Sequence, residues 1–320
     1  MLAKSLLLKM NGNALLTVRS IWALGILAAV LAGQQVGAQT NATRHPRLPD
    51  GARSFLDLEY VTNGHPRQKL DLFLPPQGAH WPLIVWIHGG AWRGGSKENS
   101  PALPFLRQGY AVASVNYRLS QHAIFPAQIL DCKASIRWLR SHAQRFGYDA
   151  DRIGVWGSSA GGHLVALLGT SAGVKEFDTF GALTNVSSRV QCVVDFFGPT
   201  DLTSMARQAP PDSRIDHDAP DSPESHLLGG PVQERKDLAR MANPITYITP
   251  DDPPFLILHG DKDNLVPIGQ SEMLHEALKK SGVHATYHVV SGAGHGFGRR
   301  SDVDKWVADF FARHLRPADR

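Results

Sequence analysis

The sequence predicts an α/β fold: a mostly parallel eight-stranded sheet with helices on both faces and one irregular insertion. Three observations point there. Continuous apolar runs such as Pro82 to His88 suit strands buried on both faces. Amphipathic segments with apolar residues at three- and four-residue steps separate those runs, as between Phe125 and Phe146. Strand and helix then alternate along the chain, the pattern of a parallel sheet covered on both sides. With 320 residues, 42% of them apolar and 19% charged, the chain can build a substantial core, and disorder is excluded.

The elements follow in order. Phe55, Leu58, Tyr60 and Val61, then Leu70, Leu72 and Leu74, predict a leading antiparallel pair, with the turn signal Asn63-Gly64 between them. Strands are expected over 82–88, 110–116, 152–156, 190–196, 254–259 and 285–290. Helices are expected over 125–146, where Ile129, Cys132, Ile136 and Leu139 share a face, and over 159–168, 268–280 and 302–315. Thr200 to Asp252 breaks this rhythm. It is rich in proline and acids and has no clean strand. A long irregular insertion in a compact domain is usually functional, and this one is expected to cap the carboxyl edge of the sheet.

At the amino end, Lys4, Lys9 and Arg19 precede an apolar run from Ile21 to Ala32, and small residues follow at Val36-Gly37-Ala38. This is the pattern of an export signal, and residues 1–38 are expected to be removed. The domain is then 39–320, with 200–252 as its cap, and the expected location is secreted or periplasmic. The three basic residues of the leader account for most of the net charge of +4; without them 30 Lys and Arg face 29 acids. A near-neutral chain with no basic run offers nothing to nucleic acid or anionic lipid. No stretch after residue 40 has the roughly 18 apolar residues of a membrane span, so no stable membrane association is expected after cleavage. Export permits disulfides, but only Cys132 and Cys192 are available. Their apolar neighbourhoods favour two buried thiols over a bridge.

The chemistry concentrates at strand ends. Gly157-Ser158-Ser159-Ala160-Gly161 lies between a predicted strand and a predicted helix, the context in which G-x-S-x-G marks a nucleophilic serine on a sharp turn. The helix terminus beside Ser159 supplies free N–H groups and a positive dipole. His88-Gly89-Gly90-Ala91-Trp92 follows another buried strand. The N–H groups of Gly90, Ala91 and Ala160 are the expected oxyanion donors, each worth roughly 2.7–4 kcal/mol of transition-state stabilisation. Asp263 and His295 stand on loops after the last two strands, where ligands bind in open parallel sheets. They complete the chain order Ser, Asp, His. His295 is preferred among 15 histidines because glycines flank it; His163, His275, His284 and His288 suit packing or surface roles. Asp261 is the rival acid, and Asp263 is preferred because its loop has room to turn toward the histidine. The string from Asp261 to Asn264 lacks the later ligands of a calcium loop.

On these residues the chain resembles the α/β-hydrolase superfamily, specifically esterases related to the hormone-sensitive-lipase and carboxylesterase groups. Within them it looks most like the secreted bacterial feruloyl/acetylxylan esterase type. The matching stretches are QKLDLFLP (68–75), WIHGGAWRGGSK (86–97), NYRLS (116–120), DCKASIRWLR (131–140), RIGVWGSSAGGHLVALLG (152–169), FFGPTDL (196–202), HGDKDNLVP (259–267) and GAGHGF (292–297). The resemblance implies Ser159 as nucleophile, Asp263 as acid and His295 as base. Ala91 stands where related enzymes often carry a third glycine, and its bulk disfavours esters of tertiary alcohols.

The function expected is serine-dependent hydrolysis of short-chain or aromatic (feruloyl, acetyl) esters, including side groups of plant polysaccharides, with no metal and no organic cofactor. Trp92, Phe197, Leu265 and Phe297 are expected to line an apolar pocket. The competing expectations are an arylformamidase or amidase with the same three residues, a polyester-cleaving esterase, and a non-catalytic binding scaffold. The last predicts loss of one of the three residues, and all three stand in place.

Overall fold

The computed structural model describes residues 48–316, so the expected leader over 1–38 lies outside the described residues. The strands are β1 (Arg53–Glu59), β2 (Lys69–Leu74), β3 (Trp81–Ile87), β4 (Ala111–Val115), β5 (Tyr148–Ser158), β6 (Cys192–Phe196), β7 (Phe255–Gly260) and β8 (Ala285–Val290). They form one sheet in the order β1-β2-β4-β3-β5-β6-β7-β8. β1 with β2 and β2 with β4 are antiparallel; every later pairing is parallel. The long helices are α1 (Ala127–Phe146) and α2 (Ala160–Thr170), then, after three short ones, α6 (Gly269–Lys280) and α7 (Ser301–Leu315). The short ones are α3 (Met205–Gln208), α4 (Pro223–Leu228) and α5 (Lys236–Ala242).

The alternation of side chains across β3 divides the core into two layers. Leu83, Val85 and Ile87 lie in the same buried layer as Ile129 of α1, Leu164 of α2 and Leu274 of α6. Ile84 and Trp86 lie in the other layer, with Phe310 and Phe311 of α7 and with Phe105 and Leu106 from a short 3-10 turn. Both faces of the central strands are therefore dry, which is why their sequences read as unbroken apolar runs. No helix among the described residues is long and apolar enough to cross a membrane.

The structure adds to the sequence expectations in three places. β1 ends at Glu59, short of Tyr60 and Val61. Tyr60 instead turns inward, and its hydroxyl donates to the Asn116 carbonyl at 2.7 Å. β5 starts four residues before Arg152, because the polar stretch from Tyr148 to Arg152 continues the strand past a register shift against β3. The segment 200–252 has no strand, as expected, but carries three short helices. Their signals are local: Ser222 caps α4 by accepting from the Ser225 N–H, with Pro223 in the first turn. Cys132 and Cys192 are separate buried thiols.

β5 approaches α7 and β6 closely at Gly154. A Cβ there would lie 2.9 Å from Cys192 Sγ, Phe311 Cε1 and Leu315 Cδ1. Gly154→Ala is expected to destabilise the fold by about 1–3 kcal/mol through overpacking. The check is a lowered urea midpoint with an unchanged slope; an unchanged midpoint would show that α7 yields freely.

Candidate active site

Ser159 sits between β5 and α2 at φ 54°, ψ −124°. A non-glycine residue pays to adopt this backbone, and such strain persists only where the surroundings enforce it. Two missing side chains permit it. A Cβ on Gly157 would meet the Gly161 carbonyl oxygen at 2.2 Å, and one on Gly161 would meet the Ile87 carbonyl oxygen at 2.1 Å. The Ser159 N–H donates to the Phe196 carbonyl at 2.8 Å, tying the turn to β6.

The loop after β3 is wound left-handed at three successive residues: Gly90 (φ 109°), Ala91 (φ 55°) and Trp92 (φ 53°). Among the described residues the N–H groups of Gly90, Ala91 and Ala160 have no acceptor. Gly90 and Ala91 line the cavity in front of Ser159, whereas Ala160 opens α2 and does not. His88 braces this loop from below. Its Nδ1 bonds the Gly89 carbonyl at 2.7 Å, so Nδ1 carries the proton. Its Nε2 then accepts from Arg67 Nη2 at 3.1 Å. Burial pushes the imidazole down to about 4, against the upward pull of the Gly89 carbonyl.

Asp263 and His295 are brought together: His295 Nδ1 donates to Asp263 Oδ2 at 2.7 Å. Asp263 Oδ1 accepts the N–H groups of Leu265 (2.9 Å) and Val266 (3.0 Å). His259 Nε2 lies 3.3 Å from Oδ2 and also donates to the Val266 carbonyl, while its Nδ1 meets Ser271 Oγ at 2.7 Å. Burial acts to raise the Asp263 carboxyl, but the hydrogen bonds from His259 and His295 outweigh it. The group is held well below the usual carboxylate range and is ionised at neutral pH. Asp261, the rival acid, points elsewhere: its Oδ1 accepts the Gly292 N–H at 2.6 Å. Ser159 and His295 line the same cavity.

That cavity has a volume of about 400 Å³, within the range of small-molecule sites. Phe197 and Leu265 line it as expected; the Phe197 ring centroid is 4.6 Å from that of His295. Trp92 borders it but is only 1% exposed. Its indole N–H donates to His163 Nδ1 at 3.3 Å, so its ring packs beneath the loop. His163 Nε2 in turn bonds the Ala242 carbonyl in α5 at 2.7 Å. Burial pushes His163 down to about 4, against the pull of that carbonyl. The expectation for Phe297 is corrected: it does not line the cavity. The chain turns at Gly296 and Gly298, and the ring folds back onto Phe196 and Phe197, each at 5.0 Å. Sequence reasoning missed the cap's share of the wall, Ile215, Pro223 and Glu224, because α4 has only six residues and Ile215 lies in irregular chain, too little to show a period.

A serine on a strained strand-to-helix turn, unpaired N–H groups beside it and a histidine–aspartate pair across one cavity define an α/β hydrolase of the esterase type. Residues 70–278 match the BD-FAE family, and the chain belongs to it. Esterase LipC of Mycobacterium tuberculosis is 32% identical over 72% of this chain, the match spanning 57% of LipC. A truncated carbohydrate esterase from gut microbiota superposes with a TM-score of 0.76 at 35% identity, over 83% of this chain and 97% of that one. An acetyl ester-xyloside bifunctional hydrolase from Caldicellulosiruptor lactoaceticus gives 0.63 at 27% identity, over 77% of this chain and 86% of that one.

The depressed Asp263 carboxyl has a stability consequence. A carboxyl whose folded-state pKa lies below its unfolded value stabilises the fold above the unfolded value. That contribution disappears as pH falls through the folded one. Asp263→Asn is therefore expected to be less stable than wild type at neutral pH, with the gap narrowing below about pH 4. Urea midpoints of both proteins across about pH 7 to 3 test this; a constant gap would mean that the histidine bonds do not set the carboxyl's affinity for protons.

Proposed function

We propose that the protein is a serine carboxylic-ester hydrolase acting on short-chain or aromatic esters, such as acetyl or feruloyl groups on plant polysaccharides. The observation that carries it is the 2.7 Å bond from His295 to an ionised Asp263, facing the Ser159 turn across one cavity. His295 takes the proton of Ser159, whose oxygen attacks the ester carbonyl. The oxyanion rests on the N–H groups of Gly90 and Ala91, with that of Ala160 at the head of α2. His295 then protonates the departing alcohol, and water repeats the sequence on the acyl-enzyme. Asp263 holds the imidazole in one tautomer and stabilises its cation.

The carbohydrate esterase and acetyl ester-xyloside hydrolase among the similar structures support the polysaccharide reading. The cavity's size supports a small acyl group over a long chain. The basic, apolar and small-residue pattern of residues 1–38 supports export to the periplasm or medium.

Ser159→Ala is expected to lower kcat/KM by roughly 10⁴-fold or more while leaving the fold intact. The assay pairs the purified wild type and variant on 4-nitrophenyl acetate, methyl ferulate and acetylated xylan. Turnover retained by the variant overturns the assignment. Serine-dependent cleavage confined to the nitrophenyl ester retains the hydrolase and removes the polysaccharide substrate.

A further inference from the structure

The loop that carries the Gly90 and Ala91 N–H groups closes on itself. The Gly90 carbonyl accepts the N–H groups of both Arg93 and Gly94 at 2.9 Å. The far end of the loop folds back onto its start. A Cβ on Gly95 would lie 2.4 Å from the Gly89 carbonyl oxygen and 2.6 Å from His88 Nδ1. Two of the three left-handed residues between these ends, Ala91 and Trp92, carry side chains, so the surroundings must enforce the shape.

One side chain joins the two ends. Arg67, in the turn between β1 and β2, is half-buried. Its Nη2 lies 3.1 Å from His88 Nε2 at the start of the loop and donates to the Gly95 carbonyl at 2.9 Å. Its Nε donates to the Tyr117 carbonyl at 2.9 Å, just beyond β4. Nη2 also reaches Asn116 Oδ1 at 3.4 Å, the oxygen that accepts the Lys97 N–H at 2.7 Å. Tyr117 serves the same imidazole. Its ring stacks on His88 with centroids 4.5 Å apart, and its hydroxyl donates to the His88 carbonyl at 2.9 Å.

None of these acceptors is a carboxylate. A half-buried guanidinium gives up hydration, and an ion pair is the usual return. Arg67 forgoes that return. Its rigid planar fork instead ties both ends of the loop to the end of β4. An arginine that served only the β1–β2 turn would spend its donors there, whereas these bonds leave the turn altogether.

We propose that Arg67 is a positioning residue for the oxyanion: by tying His88 to Gly95 it keeps the Gly90 and Ala91 N–H groups aimed at the oxygen that becomes charged. This rests on the ester-hydrolase reading. Arg67 does not line the cavity. Its loss therefore leaves ester binding alone and weakens what is held only in the transition state.

The test compares wild type with Arg67→Met, which keeps the stem and removes the donors, and with Arg67→Lys, which keeps the charge without the fork. Turnover is followed on 4-nitrophenyl acetate. Both half-reactions pass through an oxyanion, so kcat falls whichever of them limits. The second probe is an alkyl trifluoromethyl ketone as a reversible inhibitor. Ser159 Oγ bonds to its carbonyl carbon, the C=O π pair moves onto oxygen as the oxyanion, and the serine proton passes to His295. Arg67→Met is expected to lower kcat by about tenfold or more, short of the roughly 10²–10³-fold that a missing donor costs. KM is expected to stay within about twofold, and the ketone's Ki to weaken by about the factor lost in kcat/KM. Arg67→Lys is expected to fall between. Ki and KM do not depend on how much enzyme is folded, and if Arg67→Met does not fold, Arg67→Lys is read by the same criterion. Unchanged ketone affinity, or a KM that rises in step with Ki, overturns the proposal. Ser159→Ala runs alongside. Cleavage that survives it fails the hydrolase reading and this inference together; serine-dependent cleavage that the Arg67 variants leave unmoved fails this inference alone.

Discussion

The steric constraint at Ser159 holds the rest of the site in place. Its left-handed backbone is stable only because β3, β5 and α2 approach one another where Gly157 and Gly161 have no side chain. The same contact fixes the loop beyond β3, since Gly161 touches the Ile87 and His88 carbonyls and Gly89 touches the Ser158 carbonyl. Ser159 and the unpaired N–H groups thus share one packed joint. The parallel pairing of β3 with β5 supplies the rigid base that this joint requires.

Electrostatics completes what sterics begins. Asp263 gathers two backbone N–H groups and two imidazoles around one carboxylate, so its charge is dispersed while it stays out of water. His259, at the end of β7, is locked by Ser271 and Val266 and buttresses the carboxylate from the side opposite solvent. In the cap, Gln270 of α6 binds the N–H groups of Thr200 and Asp201 at 2.8 Å and also Ser204 and Gln208. The insertion is therefore fastened to the sheet domain by polar contacts as well as by packing.

The strands, the long helices and the strand-end positions of Ser159, Asp263 and His295 were legible because each carries a short-range signal. Pro82 to His88 is apolar throughout because both faces of β3 are covered, and Ser159 stands between glycines that the turn demands. The preference for Asp263 over Asp261 agrees with the geometry, since only the former reaches His295. Three features escaped. Phe297 turns away because glycines on either side of it set the chain direction, and composition does not reveal direction. Trp92 borders the cavity as expected, but its burial beneath the loop was not legible, because it follows from the need of its N–H for a buried acceptor, met by His163. Glu224 reaches the cavity from a helix of only six residues and Ile215 from irregular chain, both too short to show a period in the sequence.

The link through His163 bears on how such enzymes diversify. One imidazole, on the helix that follows Ser159, accepts a hydrogen bond from the loop after β3 and donates one to the cap. The cap is thus spliced into the hydrogen-bond wiring of the loop after β3 and is no detachable roof. A grafted or drifting cap would have to present a carbonyl where Ala242 presents one. Otherwise the imidazole is left with a buried, unsatisfied N–H, and the loop that carries Gly90 and Ala91 loosens with it.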